Sequence, residues 1–241
     1  MITLSTASLY PYGLNRIFNI ASKTGFSAVE LMLRSKTDNA YFDSWDAGYI
    51  KELMAQNNVA VDSIHVPFEF EDNPNNFDEI YNLAKELKSK FIIAHIPREN
   101  QNDYIRWFEK IKDKNFETEP VLLFENVHIK ERKEKPIIPY ENIGQLNNIC
   151  FDIAHSMRSG VDTEKIVRGC KNIRQFHVSF WDGKEDHISL VTHEQDIIQI
   201  IQNQNADFCL ELCPKAFENI TDWNNVAEVL KENLTFLKEQ S

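Results

Sequence analysis

The feature that most restricts the fold of this chain is an alternation. A short apolar run of strand length is followed by a stretch with apolar residues at helical spacing, and the pattern occurs eight times. The predicted strands cover 2–7, 27–33, 59–66, 90–96, 120–127, 148–154, 173–178 and 207–212. Helices are predicted over 13–24, 46–57, 76–88, 101–113, 162–170, 194–203 and 222–238, with a weaker, short one near 140–146. Asp46, Thr163 and Asp222 stand near helix starts as candidate caps. Strict alternation implies a parallel sheet, and eight units favour closure into a (β/α)8 barrel, the TIM-barrel architecture, over an open doubly wound sheet. The open sheet is the alternative, but no Gly-rich phosphate loop follows the first strand to support it. No Pro-, Ser- or Gly-rich linker interrupts the alternation, so 1–241 reads as a single α/β domain.

Charge narrows the partners. Lys and Arg total 26 against 37 Asp and Glu, and the net charge of −11 opposes non-specific attraction to nucleic acid or an anionic membrane. No apolar run approaches the roughly 20 residues of a membrane span, and the first residues lack the pattern of a secretory signal. A cytoplasmic location and no membrane partner are expected. Cys150, Cys170, Cys209 and Cys213 form no C-x-x-C pair and are expected to be reduced packing residues.

Six residues of metal-ligand type stand near the carboxyl ends of consecutive predicted strands: His65, His95, Glu125, Asp152, His177 and Glu211. Alternate strand residues share a face, so Val61 and Ser63 point with His65, Phe91 and Ile93 with His95, and Val121 and Leu123 with Glu125. The polar residues are then expected to cap the barrel interior at the end where barrel active sites are built. His155 lies three residues past Asp152, and Glu185 and His187, in the loop after the seventh strand, point together if that loop is extended. A lone strand-end histidine is more often a hydrogen-bonded barrel residue than a ligand. The set carries the argument: of 7 histidines only His128 and His193 fall outside it. Nine candidates exceed the needs of one ion, and two or three ions with bridging carboxylates would use them.

At these residues the sequence resembles the xylose-isomerase-like barrel superfamily, and within it the endonuclease IV branch of apurinic/apyrimidinic endonucleases. The motifs are His65-Val66-Pro67-Phe68, Ala94-His95, Phe124-Glu125-Asn126, Asp152-Ile153-Ala154-His155, Phe176-His177-Val178, Glu185-Asp186-His187-Ile188-Ser189-Leu190 and Leu210-Glu211. The resemblance implies a cluster of two or three zinc ions that hydrolyses a phosphoester, with damaged DNA as a candidate substrate. It implies that Glu125 bridges two ions, that Asp152, His177 and Glu211 complete that pair, and that His155, Glu185 and His187 hold a third. His65 and His95 would bind another side of the cluster. Glu185 departs from the Asp usual in the family at that place. The same superfamily holds sugar and sugar-phosphate isomerases and epimerases with one Mn or Mg on four positions, here Glu125, Asp152, His177 and Glu211. In them the two glutamates, Glu125 and Glu211, also transfer protons, and His155 would bind substrate. Those enzymes generally carry an Arg soon after the seventh-strand His, where this chain offers Lys184. A barrel that binds metal or ligand without catalysis is a third reading.

Loops that follow strands bear on substrate choice, and their charges disagree. Glu69, Glu71 and Asp72 are acidic, whereas Arg34 and Lys36 offer phosphate contacts; Lys130, Arg132, Lys133 and Lys135 could do so too but, interleaved with Glu131 and Glu134, read better as solvated loop charges. Phe68, Trp181 and Tyr41 offer flat surfaces for a base or a sugar ring. Arg34, Phe68, Trp181 and Lys184 are the candidate substrate-binding residues for a small phosphoester or sugar. Glu30, at the end of the second strand, is a further possible site carboxylate.

Overall fold

Eight parallel strands pair in chain order and close: β1 (Ile2–Ser5), β2 (Ala28–Met32), β3 (Ala60–His65), β4 (Phe91–His95), β5 (Val121–Glu125), β6 (Ile149–Asp152), β7 (Ile173–Val178) and β8 (Asp207–Leu210). Pairing of β1 with β8, through Ile2 with Phe208 and Leu4 with Leu210, completes the TIM barrel. The computed structural model describes residues 1–34, 42–67, 70, 74–112, 119–129, 135–191, 193–202 and 204–240. Phe68, Tyr41, Lys36, Glu69, Glu71, Asp72, Lys130, Arg132 and Lys133 lie outside the described residues.

The helices form where the apolar spacing places them. In Leu14–Thr24 the buried Leu14, Ile17, Phe18, Ile20 and Ala21 make one face, and Gly25, at φ 93°, ends the helix in the left-handed conformation that costs glycine least. Asp46 caps Ala47–Asn57 by accepting from the Tyr49 amide at 3.0 Å. Thr163, expected as a cap, is instead the first residue of Thr163–Gly169. Asp162 caps that helix, accepting from the Lys165 amide at 3.1 Å.

Strand alternation divides the core into two layers. Ile92, Ala94, Leu122, Phe124 and Phe151 face outward and join the large cluster beneath the helices, while Phe91, Ile93, Leu123 and Cys150 pack together inside the barrel. The inward set stops where the polar residues begin, which leaves His95 and Glu125 as register partners at the end of β4 and β5. Two register shifts adjust neighbouring strands. Between β2 and β3 the pairing passes from Val29–Val61 to Glu30–Ser63, and between β6 and β7 from Ile149–Ile173 to Cys150–Gln175.

The sixth strand is shorter than the predicted 148–154. It ends at Asp152, and a helix missed in the sequence, Ile153–Arg158, begins at once. Asp152 is its cap, accepting from the His155 amide at 2.5 Å, so one side chain both ends the strand and starts the helix. At the opposite end of the barrel Asp207 accepts from Lys90 Nζ at 2.5 Å. All four cysteines are free. No described helix is long and apolar enough to cross a membrane.

Candidate metal centre

Among the described residues the strand ends form four overlapping groups whose ligand atoms lie within 4.8 Å of one another: Glu125, Asp152, His177 and Glu211; His65, His95 and Glu125; Asp152, His155 and His187; and, deeper in the barrel, Glu30, His177 and Cys209. Glu125 and Asp152 each belong to two groups. Asn126 locks the strands that carry them, since its Oδ1 accepts from the Asp152 amide at 2.7 Å and its Nδ2 donates to the Asp152 carbonyl at 2.8 Å. Glu125 sits at the centre. Its Oε2 is 2.8 Å from His65 Nε2 and 3.6 Å from His95 Nε2, and its Oε1 is 3.4 Å from both His155 Nδ1 and His177 Nδ1.

Each anchored ring has one nitrogen tied outside the cluster. His65 Nδ1 lies 3.0 Å from the Val66 carbonyl, His155 Nδ1 3.0 Å from the Asn126 carbonyl, and His187 Nδ1 3.0 Å from Ser179 Oγ and 3.2 Å from the Glu211 carbonyl. A carbonyl only accepts, so each Nδ1 carries a proton and the neutral ring has its lone pair on Nε2. His65 Nε2 faces Glu125 Oε2 at 2.8 Å, and the Nε2 atoms of His155 and His187 face each other at 3.4 Å. Such contacts need positive charge, supplied by protons on the rings or by a cation between the groups. This is the arrangement that metal-ligating histidines adopt, with the outer N–H held by a carbonyl or carboxylate.

Two further observations fit a divalent cation among these groups. Asp152 Oδ2 is buried without a hydrogen-bond partner, although Oδ1 is used by the helix cap. His177 Nδ1 stands 2.8 Å from Glu211 Oε2 yet makes no aligned hydrogen bond. Orphaned polar atoms of this kind are costly unless something coordinates them.

The electrostatics agree. Burial works against charge on the His65 ring, but the hydrogen bond and charge of Glu125 outweigh it and lift the pKa to about 9. His155 rises to about 9 against its burial through Asp152 and Glu125. His177 is driven well above its usual value despite burial, with Cys150, Glu30, Glu125 and Glu211 all contributing. Burial raises the Asp152 carboxyl, more than the surrounding imidazoles lower it. The charge of His177 overcomes burial to hold Glu125 well below the carboxylate range and Glu211 at about 2. As protein groups alone, protons on the imidazoles supply the charge the carboxylates require, and a metal ion exchanges for such protons.

Glu185 is not brought into these groups. Its carboxylate is held by Lys215 Nζ at 2.8 and 2.9 Å. The expectation failed because the loop is not extended: Asp182 Oδ1 accepts from the amides of Lys184 and Glu185, Gly183 has φ 95°, and His187 has φ 55°. The two side chains therefore part company. Asp186 instead pairs with Arg158. Among the substrate candidates, the Arg34 guanidinium lies 4.6 Å over the Tyr10 ring, and Lys184 is exposed in the turn after β7. Trp181 lines a cavity with Met157, Thr163, Asp196 and Ile200, between helices. His128, which sequence reasoning set aside, has its ring 5.2 Å from that of His155. Glu30 is fully buried against His177.

No family model matches the sequence, and no curated protein matches it. Solved structures do match over nearly the whole chain. A D-tagatose 3-epimerase-like protein superposes with a TM-score of 0.67 at 17% identity, covering 99% of this chain and 98% of its own. A probable 3-DHS dehydratase from Bacillus anthracis gives 0.65 at 14%, covering 100% and 99%. Endonuclease IV from Thermus thermophilus gives 0.64 at 14%, covering 99% of each chain. What these likenesses share with the chain is the fold, a closed eight-stranded (β/α) barrel. At these identities the likeness is one of fold, and it suits hydrolase and epimerase readings equally.

Proposed function

We propose that this chain is a divalent-metal-dependent phosphoester hydrolase of the endonuclease IV type, with a multinuclear centre built by His65, His95, Glu125, Asp152, His155, His177, His187 and Glu211. The observation that carries the proposal is the sharing of Glu125 and Asp152 between ligand groups, since a carboxylate placed to serve two groups suits adjacent ions. Zinc fits the mixed imidazole and carboxylate donors. Such ions supply Lewis-acid stabilisation of phosphoester oxygens and make water nucleophilic near neutral pH.

The protein's own groups divide the remaining work. Glu125, almost fully buried among four imidazoles, holds the cluster together and excludes water from its floor. Glu211 is the more open carboxylate, with 12% of its side chain exposed and Ser5 Oγ 3.4 Å from its Oε1. Its depressed pKa keeps it ionised as a ligand on that side of the cluster. Arg34, held over Tyr10 beyond the end of β2, supplies a cation for a phosphate. The net charge of −11 favours a small phosphoester over duplex DNA.

A second reading rests on Glu185. Its engagement with Lys215 leaves Asp152, His155 and His187 as the third group, while Glu125, Asp152, His177 and Glu211 already make a complete four-ligand set. One Mn or Mg there, with Glu125 and Glu211 moving protons, suits a sugar or sugar-phosphate epimerase. Metal content of the purified protein separates the two: about two or three zinc ions per chain supports the hydrolase, and a single manganese or magnesium supports the epimerase. Cleavage of phosphoester substrates, lost in chelator, against ketose conversion with solvent hydrogen incorporated, is the matching assay.

A further inference from the structure

We infer that Glu30 is a positioning residue for the metal centre, which fixes the tautomer and aim of His177 from inside the barrel. The inference rests on the metal-centre reading above. Among the described residues, His65 and His155 rest one nitrogen on a main-chain carbonyl and His187 rests one on Ser179 Oγ and the Glu211 carbonyl, whereas His177 rests its outer nitrogen on a carboxylate of the barrel interior. His177 Nε2 is 3.1 Å from Glu30 Oε1 and 3.2 Å from Oε2. Both side chains have no exposed surface.

The surroundings of Glu30 make it an acceptor. Ser63 Oγ donates to Oε2 at 2.8 Å and Gln175 Nε2 donates to the same oxygen at 2.7 Å. The register shifts in β2–β3 and β6–β7 create this cradle, for they set Ser63 opposite Glu30 and carry Gln175 into the same interior layer. The two donors fix the carboxylate as an acceptor and orient its remaining lone pairs at His177. The Nε2 proton of His177 is thereby directed to Glu30, and its Nδ1 lone pair is turned to Glu125, Asp152 and Glu211, at 3.4, 3.9 and 2.8 Å from their nearest oxygens. A carboxylate behind the ring also makes that lone pair a stronger donor than a carbonyl would.

Glu30 touches no substrate on this account, so its signature is in metal affinity and ring tautomer. The decisive experiment is competition of the protein with a chromophoric chelator for zinc, comparing wild type, Glu30→Gln and Ser63→Ala, with the melting temperature of each chelated protein measured alongside. Glu30→Gln is expected to weaken zinc binding about 10- to 100-fold and Ser63→Ala less. A Glu30→Gln protein that melts earlier when chelated yet binds zinc as wild type does would overturn the inference and leave Glu30 as packing. Uptake of no divalent ion by wild type overturns the metal-centre reading together with it. Should Glu30→Gln not fold, imidazole 15N spectra of the zinc-loaded wild type decide: a proton on His177 Nε2 with the metal at Nδ1 supports the inference, and the reverse tautomer sinks it.

Discussion

At the amino-terminal end of the barrel the Asp207 carboxylate meets the Lys90 ammonium at 2.5 Å. At the carboxyl-terminal end Glu125, Asp152 and Glu211 meet imidazoles and, among the described residues, no lysine or arginine. Both ends are built from the same parallel strands, yet one neutralises its carboxylate with a permanent cation and the other with groups that give up their charge. The first arrangement stabilises a fold and is finished. The second is open to exchange, because an imidazole that releases its proton becomes a ligand at the same atom. Barrels generally divide stability and chemistry between their two faces in this way.

Four measurements test that contrast. The largest effect is expected from Glu125→Gln, which removes the carboxylate common to two ligand groups; loss of several kcal/mol of transition-state stabilisation corresponds to a fall in kcat of roughly a thousandfold or more. Turnover near wild type would remove Glu125 from the centre. Next come His65→Ala and His187→Ala, each expected to lower phosphoester turnover on the order of a hundredfold. Near-normal turnover in both variants would confine the chemistry to the four-ligand set and remove the multinuclear centre.

Chelation should then lower the melting temperature, since ions held only by the folded state contribute about 2.7 kcal/mol at a hundredfold excess over Kd. Calorimetry with and without chelator would read it, and an unchanged transition would count against any bound ion. The smallest effect belongs to Asp207→Asn at the other end. Burial opposes charge on Asp207, but the hydrogen bond from Lys90 outweighs it and holds the carboxyl below its ordinary value. That depression stabilises the fold above the unfolded pKa near 3.9 and is lost as pH falls through the folded value. With Lys90 partly exposed, the substitution should cost about 1 kcal/mol or less at neutral pH and flatten the acid limb of a urea-midpoint profile, with zinc affinity untouched. A shift in zinc affinity would show that the two ends are coupled.

Much of this was legible in the residues themselves. The eightfold alternation gave the barrel, and strand-end position alone brought His65, His95, Glu125, Asp152, His177 and Glu211 to one face, because side-chain direction in a strand follows parity. His155 was found by spacing, though the reason it reaches the cluster, a helix capped by Asp152, was not foreseen. Parity failed at Glu185, where a turn through Gly183 and a positive φ at His187 cancel the extended geometry that the argument assumed. Glu30 was noticed as a carboxylate, but its link to His177 depends on two register shifts, and a shift in register leaves no mark in a single strand's pattern. His128 reached the site through a loop, where neither period applies.

The buried contact between β2 and β7 has a kinetic side. Glu30 and His177 are 147 residues apart in the chain, and Glu30 and Gln175 are 145 apart, so neither hydrogen bond can form in a partial barrel made from the first four strands or the last four. Contacts of such long range form late and slowly. The Glu30–His177 contact therefore comes into being with ring closure, and a half-barrel lacks part of the ligand set. Metal uptake during refolding would serve as a clock for the moment the barrel shuts.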